Sequence, residues 1–362
     1  MRKDTKVALY CDRPPRGGIG NYARDLERNM IGVNVTLYFI SDKDDRVECE
    51  GRVYPTLPKG KIADAEIHHG ADASLSYIVP RVEKSVITLH DIDEEGRIEL
   101  TGIIDKPFLE PENVEYLKQA ERIVLDSYDA RKRAVTKADI SLHKTEVVHL
   151  GTDLNLFRLY EDKDKLRRDL EYQLPILQKA RGKRIITNNS SEEQRKNMPN
   201  VFKTFSVVQK TIPDSVLIRI GYPGIEQKPE SISLQKELGI SDSVVYLNNV
   251  SRAQIAGIYN ISDEFLFPTL RVGFGLVITE AMHSGAVVVG GNTTTLPEIV
   301  GDTGLLVDPL NPKELADASI EVLTNDKLRK ELSKKAIKRV EENFTWGKCA
   351  AKTESIYKKI LE

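Results

Sequence analysis

The chain has 362 residues, 40% hydrophobic and 30% charged, which exceeds one average core and points to two domains. Its net charge of −2 excludes a general electrostatic footprint for nucleic acid, and no nucleic-acid partner is expected. The three cysteines, Cys11, Cys49 and Cys349, are scattered, which excludes a disulfide framework or a C-x-x-C zinc site and fits a reducing compartment.

From the start of the chain, MRKDTKVALYCDRPP lacks the apolar run of a signal peptide, and no later run is long enough to span a bilayer. A cytoplasmic protein is expected, with peripheral attachment to the cytoplasmic membrane face left open. Apolar β-branched runs then alternate with helical patterns, the signature of a parallel α/β architecture. In the first half the predicted strands are Lys6–Cys11, Val33–Ile40, Ser85–Leu89, Arg122–Leu125 and Thr145–His149. Between the first two, Ile19, Tyr22, Ala23, Leu26 and Met30 recur at helical spacing. The charged, mostly helical segment 158–183 marks the domain boundary. Beyond it the predicted strands are Arg184–Thr187, Ser215–Ile220, Ser243–Leu247, Glu264–Phe267 and Val287–Gly290. Asn197–Lys210 reads as a helix with Met198, Val201, Phe202 and Phe205 on one side. The last helix starts at Trp346 with a stripe through Cys349, Ala350, Thr353, Ile356, Tyr357 and Ile360. The halves show no internal sequence repeat.

Two glycine turns carry the chemistry. In VALYCDRPPRGGIGNYARDL, Gly18, Gly20 and Ala23 fit G-x-G-x-x-A, and Asp42 follows Gly18 by 24 positions, close to a dinucleotide fingerprint. In that fingerprint the glycines follow the strand directly, whereas here DRPPRG intervenes, and Pro14–Pro15 favour an extended excursion. A tight turn that needs glycine and a phosphate-binding loop therefore stand level for this stretch. In the second half, the strand Glu264–Phe267 leads to Gly273-Phe274-Gly275 and a helix from Leu276 to Ser284. Backbone N–H groups at such a helix start suit phosphate or sugar oxygens. Glu280 in the second turn suits the paired hydroxyls of a ribose, and Gly285 suits the helix C-terminal turn.

At these residues the sequence resembles the large retaining glycosyltransferase family of GT-B fold, of the glycosyl transferases group 1 type. The donor signature of that family is similar at Gly273, Phe274, Gly275, Leu276, Glu280, Ala281, Met282, Gly285, Pro297, Glu298, Gly304, Leu306, Val307 and Pro309. GGIGNYARDL resembles the family's glycine loop facing the donor phosphates, and VITLHDID its strand ending in a cleft histidine, His90. VVHLGTDLNLF resembles the close of the first domain, and Arg195-Lys196-Asn197 the basic turn that grips the diphosphate. NNVSRAQIAGIY resembles the nucleobase loop around Val250, and FTWGKCAAKTESIY the terminal helix that returns to the first domain.

The resemblance implies two Rossmann-like α/β domains with parallel sheets facing across a cleft. Residues 1–160 with 346–362 would form the acceptor side, and 161–345 the nucleotide-sugar donor side. It implies transfer of a hexose from a nucleotide diphosphate sugar to an acceptor hydroxyl, with retention, no metal and no cofactor. His90, Asp91 and Lys196 would be catalytic. Gly17, Gly18, Arg195, Lys196, Val250, Gly273, Phe274, Gly275, Leu276 and Glu280 would bind the donor, and Asn21 and Tyr22 would lie on the acceptor side. Acceptor loops are expected around 42–61 and 93–111, for a glycan, lipid or small molecule. The basic stretch SYDARKRAVTK would suit a lipid surface. Oligomeric state is not legible.

Two positions depart from the family pattern. The glutamate usual eight positions before Glu280 is Val272, and the arginine usual five or six before Lys196 is Ser191 or Ser190. Arg195 or Arg271 would have to replace that charge. These departures support an alternative, a catalytically degenerate sugar-nucleotide or glycan-binding protein of the same fold. Asp91-Ile92-Asp93 matches D-x-D, a weak three-residue signal. His68 and His69 read as structural or solvent-exposed after a short strand, and His143, His149 and His283 lack ligands at metal spacing.

Overall fold

A computed structural model of the chain describes residues 5–13, 18–41, 46–90, 111–221 and 226–362. Gly17, Asp42, Asp91 and Asp93 lie outside the described residues, as do 42–45 of the first expected acceptor loop and 93–110 of the second. Two compact units emerge, one of residues 1–151 with 344–362, the other of 152–343. Residues 152–160, read in the sequence with the first domain, pack on the second unit. Asn260 explains this, because its side chain bonds both Tyr160 N (2.8 Å) and Arg158 O (2.9 Å).

The first unit is built on β1 (Lys6–Cys11), β2 (Asn34–Ile40), β5 (Thr56–Leu57), β6 (Ile67–Gly70), β7 (Ser85–Leu89), β8 (Arg122–Leu125) and β9 (Thr145–Val147). A separate hairpin joins β3 (Val47–Cys49) to β4 (Arg52–Tyr54) through Glu50 and Gly51, both at positive φ, as a tight hairpin turn requires. The main sheet is parallel, in the order β5-β2-β1-β6-β7-β8-β9. β1, β7 and β8 read as apolar runs because they are buried on both faces. Ile78, Leu117, Ile123 and Ala130 pack one face with 3₁₀ turn 73–81, α2 (Pro111–Gln119) and α3 (Tyr128–Lys137). The amphipathic α1 (Gly18–Asn29) lies beside α12 (Trp346–Leu361), whose Glu354 accepts the backbone N–H groups of Ile31 and Gly32 at 2.8 and 2.9 Å. A Cβ on Gly151 would sit 2.2 Å from Trp346 N, so only glycine admits the start of α12 there.

The sequence reading misses β6. His68 and His69 lie on this strand, not after it, and both are buried rather than solvent-exposed. Two adjacent histidines do not look like a core strand. They are accommodated because each finds a polar partner: His68 Nδ1 meets Tyr10 Oη at 2.8 Å, and His69 lies between Tyr357 Oη (2.6 Å) and Thr88 Oγ1 (2.7 Å).

The second unit has β10 (Arg184–Asn189), β11 (Ser215–Ile220), β12 (Val244–Leu247), β13 (Glu264–Phe267), β14 (Val287–Gly291) and β15 (Leu305–Val307), all parallel, in the order β12-β11-β10-β13-β14-β15. Its helices are α4 (Lys163–Gln173), α5 (Met198–Thr211), α6 (Pro229–Glu237), α7 (Arg252–Ile261), α8 (Leu276–His283), α9 (Leu296–Val300), α10 (Pro312–Thr324) and α11 (Asp326–Asn343). The predicted apolar side of α5 is its buried side. Met198, Val201, Phe202 and Phe205 enter the core with Ile186, Leu217 and Leu266, each worth about 2 kcal/mol of burial. Among the described residues no helix is long and apolar enough to cross a membrane.

Glu264 starts β13 fully buried, with Ser319 Oγ donating to its Oε1 at 2.7 Å. Burial pushes its carboxyl up to about 8, outweighing the Ser319 hydrogen bond. The folded chain therefore holds a proton that the unfolded chain releases near pH 4.5. This contribution to stability is complete below that point and is lost as pH rises through about 8. Glu264→Gln is expected to flatten the loss and raise the melting temperature at alkaline pH by roughly 5 °C, with little gain at acid pH. Parallel thermal melts of both proteins across pH would show it. An equal shift at every pH would contradict it.

Candidate functional site

In an open parallel sheet, ligands gather at the carboxyl edge where neighbouring strands send their connections in opposite directions. In the second unit this point lies between β10 and β13. The loop after β10 ends in the 3₁₀ turn Gln194–Lys196 and then Asn197, at φ 58° and ψ 41°. Asparagine tolerates that left-handed backbone, and its amide ties the region together. Its Nδ2 donates to Pro268 O (2.9 Å) and Pro309 O (2.8 Å), and the Arg195 carbonyl accepts from Leu270 N (2.8 Å) and Thr269 Oγ1 (2.9 Å). The loops after β10, β13 and β15 are thus held as one body. Lys196 Nζ lies 5.4 Å over the Phe267 ring, half-buried, and Arg195 pairs with Glu193 at 2.7 Å. Burial opposes ionisation of Glu193, yet Arg195, Ser191 and Lys196 hold its carboxyl below the usual range.

The second glycine turn is pinned from the loop after β14. Thr295 Oγ1 lies 3.1 Å from Val272 O and 2.9 Å from Gly273 O, and Thr293 Oγ1 donates to Thr269 O at 3.0 Å. Gly275 has φ 87° and caps α8, a conformation that favours glycine. Gly273 and Phe274 are buried, and Leu276 is half-buried at the helix start. Glu280, one turn on, has a side chain 13% exposed, with Arg252 Nη2 at 3.8 Å. Arg252 opens α7, whose start is set by a capping box between Ser251 and Gln254. Val250 precedes that cap, half-buried. The structure therefore brings Arg195, Lys196, the Gly273–Leu276 turn and Glu280 to the loops and helix that follow β10 and β13.

In the first unit the corresponding point lies between β1 and β6. Asp12 follows β1, Asp72 follows β6, His90 follows β7 and Asp126 follows β8. Ser74 Oγ lies 2.7 Å from Asp12 Oδ2 and 2.6 Å from Asp72 Oδ1. His90 Nδ1 meets Asp126 Oδ2 at 2.7 Å, and its Nε2 meets Ala71 O at 2.9 Å. Tyr22 is a core residue, its hydroxyl 2.8 Å from Thr88 Oγ1 and its ring edge-on to His90 at 4.6 Å. Asn21 accepts from Arg24 at 2.5 Å, and Gly18 is exposed at the start of α1. His283 bonds Phe157 O at 2.7 Å, and His149 packs edge-on between the Tyr128 and Phe344 rings. Among the described residues no group of three or more His, Cys, Asp and Glu is placed to hold a metal ion.

The profile of the family Glycosyl transferases group 1 matches residues 171–339, the part that carries the basic turn, the glycine turn and Glu280. O-antigen chain mannosyltransferase B of Escherichia coli is 28% identical over 301 residues, 81% of this chain and 74% of that protein. The second half of the chain thus matches the group 1 glycosyl transferases, and most of the chain is similar to one of them. D-inositol 3-phosphate glycosyltransferase of Corynebacterium diphtheriae is 36% identical over 128 residues, 35% of this chain and 30% of that enzyme. Two solved structures share the GT-B fold along the whole chain. Sucrose-phosphate synthase from Thermosynechococcus elongatus aligns with TM-score 0.79 and 18% identity, covering 99% of each chain. Anabaena Alr3699/HepE, solved with UDP and glucose, aligns with TM-score 0.78 and 14% identity, covering 98% of this chain and 100% of that one.

The structure gives the two departures from that family's pattern a physical setting. Val272 is buried, and a Cβ on Gly275 would sit 3.3 Å from its Cγ2, so it packs under the glycine turn. Ser190 Oγ donates to Asn188 Oδ1 at 3.1 Å, and Ser191 Oγ to Glu193 Oε1 at 2.8 Å. Neither supplies charge. Arg271 lies next to Leu270, whose N–H bonds the Arg195 carbonyl, so one connected pair of loops carries Arg195, Lys196 and Arg271. Sequence reasoning missed Arg252, Asn197 as the knot, Thr295 and Asp126. Only Arg252 had a signal, the S-x-x-Q cap beside it.

Proposed function

We propose that this glycosyltransferase moves a hexose from a nucleotide diphosphate sugar to an acceptor hydroxyl, with retention and without a metal or cofactor. The observation that carries it is the hydrogen-bonded loop body at the β10–β13 edge, which presents Arg195, Lys196 and Arg271 beside the glycine start of α8. Two or three cations and a helix N-terminus suit a departing diphosphate. Gly273–Leu276 hold the sugar, Glu280 accepts the ribose hydroxyls with Arg252 steadying its charge, and Val250 meets the base. His90 serves the reacting end, with Asp91, Gly17, Gly18 and Asn21 on the first-unit side; Tyr22, expected there, is buried in the core and only packs against His90. The name of the mannosyltransferase relative and the UDP and glucose held by Alr3699/HepE agree with this donor class.

The acceptor is a glycan, lipid or small-molecule hydroxyl, met at the cytoplasmic side. Exposed Tyr128 at the start of the basic α3 suits peripheral contact with a lipid surface. Purified protein offered radiolabelled UDP and GDP sugars should hydrolyse or transfer at least one. Absence of both binding and turnover, with the fold intact, overturns the reading. The buried, apolar Val272 favours a second reading, a sugar-nucleotide-binding protein without turnover. Calorimetric binding of a sugar nucleotide with no product would select it.

A further inference from the structure

We propose that Asp126 is a positioning residue that holds His90 as an imidazolium, making the ring a fixed positive charge at the carboxyl edge of the first unit's sheet. The argument is hydrogen-bond accounting. The Ala71 carbonyl can only accept, so the His90 Nε2 facing it at 2.9 Å carries a proton. The Asp126 carboxylate, 2.7 Å from Nδ1, is the second acceptor. A ring with an acceptor on each nitrogen is satisfied only when both nitrogens are protonated. Imidazole is more basic than a carboxylic acid by about 2–3 pK units, so the shared proton belongs to the ring.

The other groups facing the ring agree. Burial opposes the ring's charge, but Asp126, with Asp72 just after β6 and the Ala71 carbonyl, together outweigh it and raise the affinity of the ring for its proton. From β6, His69 is kept neutral, its pKa lowered to about 3 by burial and then by the His90 charge. From α1, the Tyr22 ring makes a T-shaped contact at 4.6 Å between centroids, and burial holds its hydroxyl well above the usual range, so it stays neutral. His90 therefore has neither a lone pair for an acceptor proton nor a free N–H for a sugar hydroxyl. What it offers is charge, suited to the negative charge that develops on a leaving group. This consequence for rate rests on the transfer reading above; the protonation state does not.

The test is the ¹⁵N spectrum of the full chain labelled at histidine, with His90 assigned by its loss in His90→Gln, followed from acid to alkaline pH. The wild-type ring is expected to be doubly protonated at about pH 7.5, and Asp126→Asn to weaken its proton affinity at least tenfold. Transfer by Asp126→Asn should be about tenfold slower at alkaline pH and recover as pH falls, with Asp126→Glu restoring most of the rate. A merely structural Asp126 would lower the rate equally at every pH. A neutral wild-type ring at that pH, or a titration unmoved in Asp126→Asn, overturns the proposal. If Asp126→Asn does not fold, the wild-type titration decides. If no sugar is transferred, the spectrum still decides this proposal and only the transfer reading fails.

Discussion

Lys196→Ala is expected to weaken binding of a nucleotide diphosphate sugar about a hundredfold, the loss of roughly 2–3 kcal/mol of charge-assisted hydrogen bonding. The lysine is half-buried above the Phe267 ring, where its charge is less screened than on an open surface. Its backbone is fixed by the αL residue that follows and by the bonds from Leu270 and Thr269 to the neighbouring carbonyl, so little ordering remains to oppose binding. Titration calorimetry with UDP, GDP and their sugars measures the effect. Asp93→Ala should cost less. The reverse order would point to a site that binds its donor through a metal held at Asp91–Asp93.

Asn197→Ala is expected to destabilise the second unit by about 3 kcal/mol, which chemical denaturation would report. The change removes two buried hydrogen bonds, to Pro268 O and Pro309 O, and puts a Cβ without a compensating amide into left-handed backbone. Asn200 Nδ2 still reaches Pro309 O at 3.0 Å, so the Pro268 carbonyl bears more of the loss. Asn197→Gly separates the two causes. It relieves the backbone strain and should recover about 1 kcal/mol, leaving the lost hydrogen bonds. Full recovery in the glycine variant would mean that the amide ties nothing together.

Much of the scaffold was legible. The strands Lys6–Cys11, Ser85–Leu89, Arg122–Leu125, Ser215–Ile220 and Glu264–Phe267 have the same bounds in sequence and structure. Strands buried on both faces read as unbroken apolar runs, a signal that needs no partner to interpret. The helix after Gly275 was also legible, because a positive φ and a helix start leave a local mark. The strand Ile67–Gly70 was not, because its histidines look polar until Tyr10, Thr88 and Tyr357 are seen to satisfy them.

Residue types and spacing thus determined the parallel α/β class, most of the long strands and the glycine start of α8, and the family resemblance added the basic turn at Arg195–Asn197. The tertiary structure alone decided which residues meet. Asp126 lies 36 positions from His90, and Pro309 lies 112 from Asn197. Neither pairing follows a helical or strand period, so nothing local marks it. The parallel crossovers bring successive strand ends to one edge, and there residues distant in sequence become hydrogen-bond partners. That is why Lys196 could be singled out by the resemblance of one short stretch, while the charge state of His90 is set by a carboxylate and a carbonyl from the ends of other strands.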